Sequence, residues 1–235
     1  MGAVFRREFR SFFTSPLGYV ILAVIFAVSG YYFTLFNMYL GSANLSTVYS
    51  ILYTVSMLAL PILTMRLFSE EKRQRTDQAL LTAPVSLTGI VMGKFLASLL
   101  IFAIGISITL VFAIIIAFQV TPDWLVIIGN YIGLLLLGGL IISIGLLISC
   151  LTESQLIAAL GTLAVSIVLM VMGDLGAVFS NFAWLQSIFD FLSISARYTA
   201  FTTGVINYDN VVFFLSFQAL FVFLTVRVLD RKRWN

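Results

Sequence analysis

Apolar positions in this chain fall in long unbroken blocks, not at alternating or one-face spacing. Six such blocks stand out: Leu17–Phe36, Val48–Phe68, Val91–Phe118, Leu125–Leu151, Leu156–Met172 and Val211–Leu229. At about 1.5 Å per helical residue, each is near or above the length that crosses roughly 30 Å of hydrocarbon. Each is apolar around its whole circumference, as a lipid-embedded helix is. Hydrocarbon offers the backbone no water, so only helices or a closed barrel can span it. Runs near twenty residues without strict alternation exclude the barrel. The pattern predicts an all-α, polytopic membrane protein with six transmembrane helices in one domain.

Two stretches depart from this rhythm. In residues 4–15, Val4, Phe5, Phe9, Phe12 and Phe13 fall on one helical face and Arg6, Arg7 and Arg10 largely on the other. That pattern predicts a helix lying in the membrane interface, stopped before the first span by Pro16. Residues 173–210 are too apolar for a wet loop, but Asp190 and Arg197 interrupt them before a full span forms. Short helices that enter the outer leaflet and return fit this stretch, with protein or a wet cavity covering their backbone. A seventh span is the rival, and it would move the last basic cluster to the other side.

Composition sharpens the picture. Charged residues make up 10% of the 235, where a soluble domain carries about a quarter, and 61% are hydrophobic. The chain has no His and one Cys, Cys150, so an internal disulfide framework and a Cys/His metal site are both unsupported. With the N-terminus inside, twelve of the 13 Lys and Arg residues fall on the inner side, and only Arg197 lies outside. The positive-inside rule then puts both termini in the cytoplasm. Arg6, Arg7 and Arg10 ahead of an apolar run imitate a signal peptide, but the small-residue site at Ala27–Gly30 lies deep within that run.

Charge is densest between Arg66 and Asp77, which holds Arg66, Glu70, Glu71, Lys72, Arg73, Arg75 and Asp77. Such a cluster cannot lie in hydrocarbon, so residues 69–88 project into the cytoplasm. Thr76 is placed to cap a short helix with Asp77 in its first turn, Leu80 and Leu81 on an apolar face, and Pro84 as its stop. Ser86 offers a cap for the next span. An apolar face on a charged arm calls for a protein partner. The second inner turn holds Thr152 and Glu153, and Thr152 with Gln155 reads as a capping box.

Chemistry is sparse. No GxxxxGK[ST] phosphate loop and no GxSxG elbow occurs, and the span centres carry no Asp or Glu to relay protons. The reading is therefore no catalytic residue, no cofactor or metal bound by this chain, and no nucleic-acid partner. A bundle of this kind needs an external source of energy.

The run Arg66-Leu67-Phe68-Ser69-Glu70-Glu71-Lys72, then Gln78 to Ser86, then Gly93-Lys94-Phe95, resembles the first cytoplasmic loop of ABC-2 type permeases. The likeness is nearest to the gliding-motility-associated and copper-processing (Nos-type) groups. Phe5 to Pro16 and the stretch from Phe191 to Asp209 extend it over nearly the whole chain. Many relatives carry Gly where this chain has Arg75. The resemblance implies a type V exporter-like fold and a permease subunit that exports or extracts a hydrophobic or amphipathic substrate. It implies two copies of a separate ATPase that hold ATP and Mg, a second permease, identical or related, and an accessory membrane protein. Glu70, Glu71, Arg73, Thr76, Asp77, Leu80, Leu81 and Pro84 would form the ATPase-coupling foot, with Thr152 and Glu153 a minor contact. Phe5, Arg6, Arg7, Phe9 and Arg10 would belong to the interfacial connecting helix. Asp190 and Arg197 would be an outer gate or substrate contact, and the setting a prokaryotic plasma membrane. A mechanical or signalling complex that moves no substrate, and an ATP-independent channel or scramblase, remain the rival readings.

Overall fold

A computed structural model describes residues 2–42, 44–75, 86–178, 183–204 and 207–234. Among them the structure is all-helical. The helices are α1 (Gly2–Thr14), α2 (Pro16–Phe33), α3 (Ser46–Thr64), α4 (Ser69–Arg73), α5 (Leu87–Ile106), α6 (Ile108–Ala117), α7 (Trp124–Leu151), α8 (Gln155–Val178), α9 (Ala183–Leu192), α10 (Ile194–Thr202) and α11 (Tyr208–Trp234). Six helical stretches are long and apolar enough to cross a membrane: Pro16–Tyr39, Ser46–Arg73, Leu87–Ala117, Trp124–Leu151, Gln155–Gly173 and Tyr208–Arg231. The first continues α2 through a π-helical turn, Thr34–Tyr39. The third joins α5 and α6 across Ser107, whose hydroxyl donates to the Ile104 carbonyl at 2.6 Å.

Local chemistry explains several of the ends. Pro16 opens α2, where its missing N–H is no loss. Ser86 accepts from the Gly89 N–H at 3.2 Å and so caps α5. Asp123 does the same for α7, accepting from the N–H groups of Leu125 at 3.2 Å and Val126 at 3.4 Å. The turn before α8 differs from the capping box read from Thr152 and Gln155. There Ser154 is the cap, accepting from the Ile157 N–H at 3.4 Å, and Thr152 accepts from the Ser154 N–H at 3.2 Å. The helix starts one residue after Ser154, so Thr152 lies too far upstream to reach its first turn.

The core gathers around α7. Of its most apolar window 72% is buried, against 17% for α8 and 22% for α2 and for α11. It packs on α3, α5, α8, α10 and α11. Small residues let these helices close. A side chain at Gly138 would strike the Phe102 ring of α5, and one at Gly145 would strike Thr64 of α3. Such contacts hold a membrane bundle together by dispersion, because lipid tails are as apolar as the core.

Candidate functional site

The first turns of α1 place Val4, Glu8 and Phe12 on one buried stripe at four-residue spacing. This stripe lies on α5, where Gly93 leaves room for Val4. Phe5, Phe9 and Phe13 form the neighbouring half-buried row, with ring centroids 6.0 and 5.2 Å apart. Arg6, Arg7 and Arg10 face outward. Sequence periodicity captured the aromatic and basic faces but not the carboxylate within the buried one.

That carboxylate meets Lys94, which is 1% exposed. The ammonium lies 3.1 Å from Glu8 Oε1 and 3.0 Å from Glu71 Oε1, and donates to the Leu67 carbonyl at 2.6 Å. It also sits 5.0 Å above the Phe68 ring. Arg7 closes the group from the solvent side, donating to Glu8 Oε1 at 2.9 Å and Glu71 Oε1 at 2.7 Å. The hydrogen bond to Glu8, followed by the charges of Glu8 and Glu71, holds the Arg7 guanidinium above its ordinary pKa against the pull of partial burial. Two cations and two carboxylates thus cancel, and each carboxylate is shared. Removing one partner from such a buried set leaves an uncompensated charge. A cavity of about 440 Å³ opens beside it, bounded by α1 on one side and by Arg66, Glu70, Glu71 and Gln74 on the other.

A second fastening holds α4 to the end of α7. Ser149 Oγ accepts from the N–H groups of Phe68 and Ser69, both at 3.0 Å, and donates to the Met65 carbonyl at 3.2 Å. Lys72 is buried and donates to the Cys150 carbonyl, one of the last carbonyls of α7. Arg66 donates to Ser15 Oγ at the α1–α2 junction and lies 4.0 Å from Glu70. The short helix that leads into residues 76–85 is therefore tied to α1, α5 and α7.

Of the loop residues singled out by sequence, Glu71 enters the buried cluster, Glu70 lies on its rim and Arg73 is exposed on α4. Thr76, Asp77, Leu80, Leu81 and Pro84 lie outside the described residues. Arg75 has φ = 56°, a left-handed conformation that ends α4. Glycine would adopt that backbone without steric cost. Thr152 is half-buried and Glu153 exposed at the same end of the bundle.

The opposite end is built differently. The Tyr49 hydroxyl donates to Thr109 Oγ1 at 3.1 Å, and the Tyr198 hydroxyl lies 3.4 Å from Asn130 Oδ1. The ring of Tyr198 stacks on that of Tyr53 with centroids 4.8 Å apart. Arg197 donates to the Phe191 carbonyl and to Asn210 Oδ1, each at 3.1 Å, and lies over the Phe213 ring at 4.0 Å. Burial lowers its pKa, opposed by the charge of Asp209. The side chain of Asp190, read with Arg197 as an outer gate or substrate contact, lies outside what the structure describes.

Residues 3–234 match the family described as ABC-2 family transporter protein. The chain belongs to the ABC-2 transporter family. No curated protein matches it. An ABC-2 membrane protein is a multi-pass permease component that works with an ATPase.

Proposed function

We propose that this chain is the permease subunit of an ATP-driven exporter or extractor of a hydrophobic or amphipathic substrate, of the type V-like, gliding-motility or Nos-type group. Two copies of a separate ATPase, carrying ATP and Mg, dock on the foot formed by residues 76–84. A second permease completes the pore, and an accessory membrane protein completes the assembly. The charged end then faces the cytoplasm of a prokaryotic cell, with both termini on that side.

The observation that carries this reading is the Lys94 cluster. A solvated connector needs no fastening, whereas an arm that receives a push does. Glu71 on α4, Glu8 on α1 and Lys94 on α5 share one buried contact, and Lys72 links the same arm to α7. Displacement of the foot then moves the ends of three helices together. Arg7 completes the cluster from the exposed side, and Thr152 and Glu153 offer a second, smaller contact.

The test is co-purification of the tagged chain with its ATPase, with hydrolysis measured in the same preparation. Leu80→Asp together with Leu81→Asp abolishes capture of the ATPase if the foot is the docking element. Glu71→Gln keeps capture but lowers permease-dependent hydrolysis if the cluster transmits the push. An ATPase that binds and hydrolyses equally well with both variants overturns the proposal. Vesicle assays with lipid, glycan and peptide candidates separate an exporter from a complex that spends ATP without moving substrate.

A further inference from the structure

Away from the fastened arm, a groove of about 660 Å³ runs between α5 and α11. Met92 and Phe95 wall one side, and Leu215, Ala219, Val222 and Val226 the other. From Leu215 to Asp230 the helix rises about 22 Å, the depth of one leaflet with its headgroups. The volume lies within the range of sites that hold one small amphiphile. At its deep end Gln218 is seated over Gly139 and donates to the Leu136 carbonyl at 2.8 Å, so the polar group there is already hydrogen-bonded within the protein.

The charges sit only at the mouth. Arg227, its guanidinium 5.1 Å from the Phe223 ring, lies one turn inside Asp230, and both line the groove. Among the described residues no carboxylate lies within 4 Å of Arg227. Apolar wall, cation, then carboxylate is the order of an acyl chain, a phosphate and a terminal ammonium. One helical turn, about 5 Å, is also of the order of a two-carbon tether.

We propose that this groove holds a resident phospholipid with an ethanolamine headgroup, its phosphate on Arg227 and its primary ammonium on Asp230. The two charges that line the groove cancel, so the groove itself adds no preference for an anionic head over a dipolar one. A quaternary ammonium cannot donate to Asp230, so the site discriminates against choline.

The experiment uses the full-length chain, stripped of lipid in detergent and incubated with equimolar phosphatidylethanolamine, phosphatidylcholine and phosphatidylglycerol of identical acyl chains. Native mass spectrometry counts retained lipid. The wild type retains one phosphatidylethanolamine per chain, about five-fold over either competitor, the factor that one favourable charge contact supplies. Arg227→Gln lowers retention of all three phospholipids and Arg227→Lys restores most of it. Asp230→Asn keeps phospholipid but loses ethanolamine over choline. Ala219→Phe, which fills the groove at an exposed position, displaces the lipid. Equal retention of all three lipids, preference for phosphatidylglycerol, or lipid that stays in Ala219→Phe overturns the proposal. So does a cross-link between copies of Ala219→Cys, which would seat a second chain in the groove.

Discussion

The two ends of the bundle solve the same problem with different chemistry. Both must hold short helices against long ones. The end bearing α1 and α4 does it with a four-charge cluster: Lys94, Glu8 and Glu71 largely withdrawn from water, and Arg7 closing it from the solvent side. The end bearing α9 and α10 uses hydroxyls, amides and rings: Tyr49 on Thr109, Tyr198 beside Asn130 and Tyr53, and Phe201 against Gly129 and Gly133. A neutral network loses about one bond when one member is deleted, whereas a buried charged set loses its balance. The charged end is therefore close to all-or-none, and the neutral end degrades by steps. Under the proposed coupling, an arm that is pushed suits the first, and a cover over helix ends suits the second.

The largest effect that would test this contrast is Lys94→Met. It leaves Glu8 and Glu71 without their buried shared cation, bridged only by the exposed Arg7, at a cost of about 3–5 kcal/mol. Detergent-resistant folding, followed by circular dichroism against temperature, should drop sharply. A triple variant with Glu8→Gln and Glu71→Gln should recover much of the loss, and failure to recover would mean that Lys94 matters by packing alone. Next comes Gly129→Val at the neutral end, where the first added carbon would lie 2.9 Å from the Phe201 carbonyl. Overpacking there should cost about 1–3 kcal/mol and loosen α10 first, seen as faster proteolysis after residue 193 with the rest intact. Tyr198→Phe should cost about 1 kcal/mol or less, because its contacts to Asn130 at 3.4 Å and the Tyr49 carbonyl at 3.5 Å are long. A loss as large as that of Lys94→Met would erase the contrast. The smallest effect is a gain. Arg75→Gly relieves the left-handed backbone that ends α4 and should raise stability by about 1 kcal/mol, less whatever the freer unfolded chain takes back.

Much of this is legible in the sequence. Six apolar runs announce six helices because lipid imposes length and an all-round apolar surface, and both are visible in one dimension. The concentration of charge between Arg66 and Asp77 was legible for the same reason. The cluster itself was not. Glu8 lies among arginines and reads as part of a wet face, and Lys94 reads as one more inward-side cation. Their pairing joins positions 86 residues apart, and only the crossing of α1 over Gly93 brings them together. One signal was present: Lys94 is a lone cation flanked on both sides by apolar sequence, and such a residue requires a partner. The neutral network left no comparable trace, since Tyr, Asn and Thr recur throughout membrane helices at no diagnostic spacing. The cap of the turn before α8 lies two residues after the expected Thr152, because Thr and Ser both satisfy a capping pattern and the backbone decides between them.

The bond from Lys72 to the Cys150 carbonyl carries one more implication. A helix normally closes its last carbonyls with residues that follow it in the chain. Here α7 borrows a lysine from a segment 78 positions earlier, so the firmness of its final turn depends on where α4 stands. Linkage makes this run both ways: whatever steadies that turn also holds α4 in place. Hydrogen exchange at amides 148–151 is thus a gauge of the arm's position, readable without a label on the arm itself.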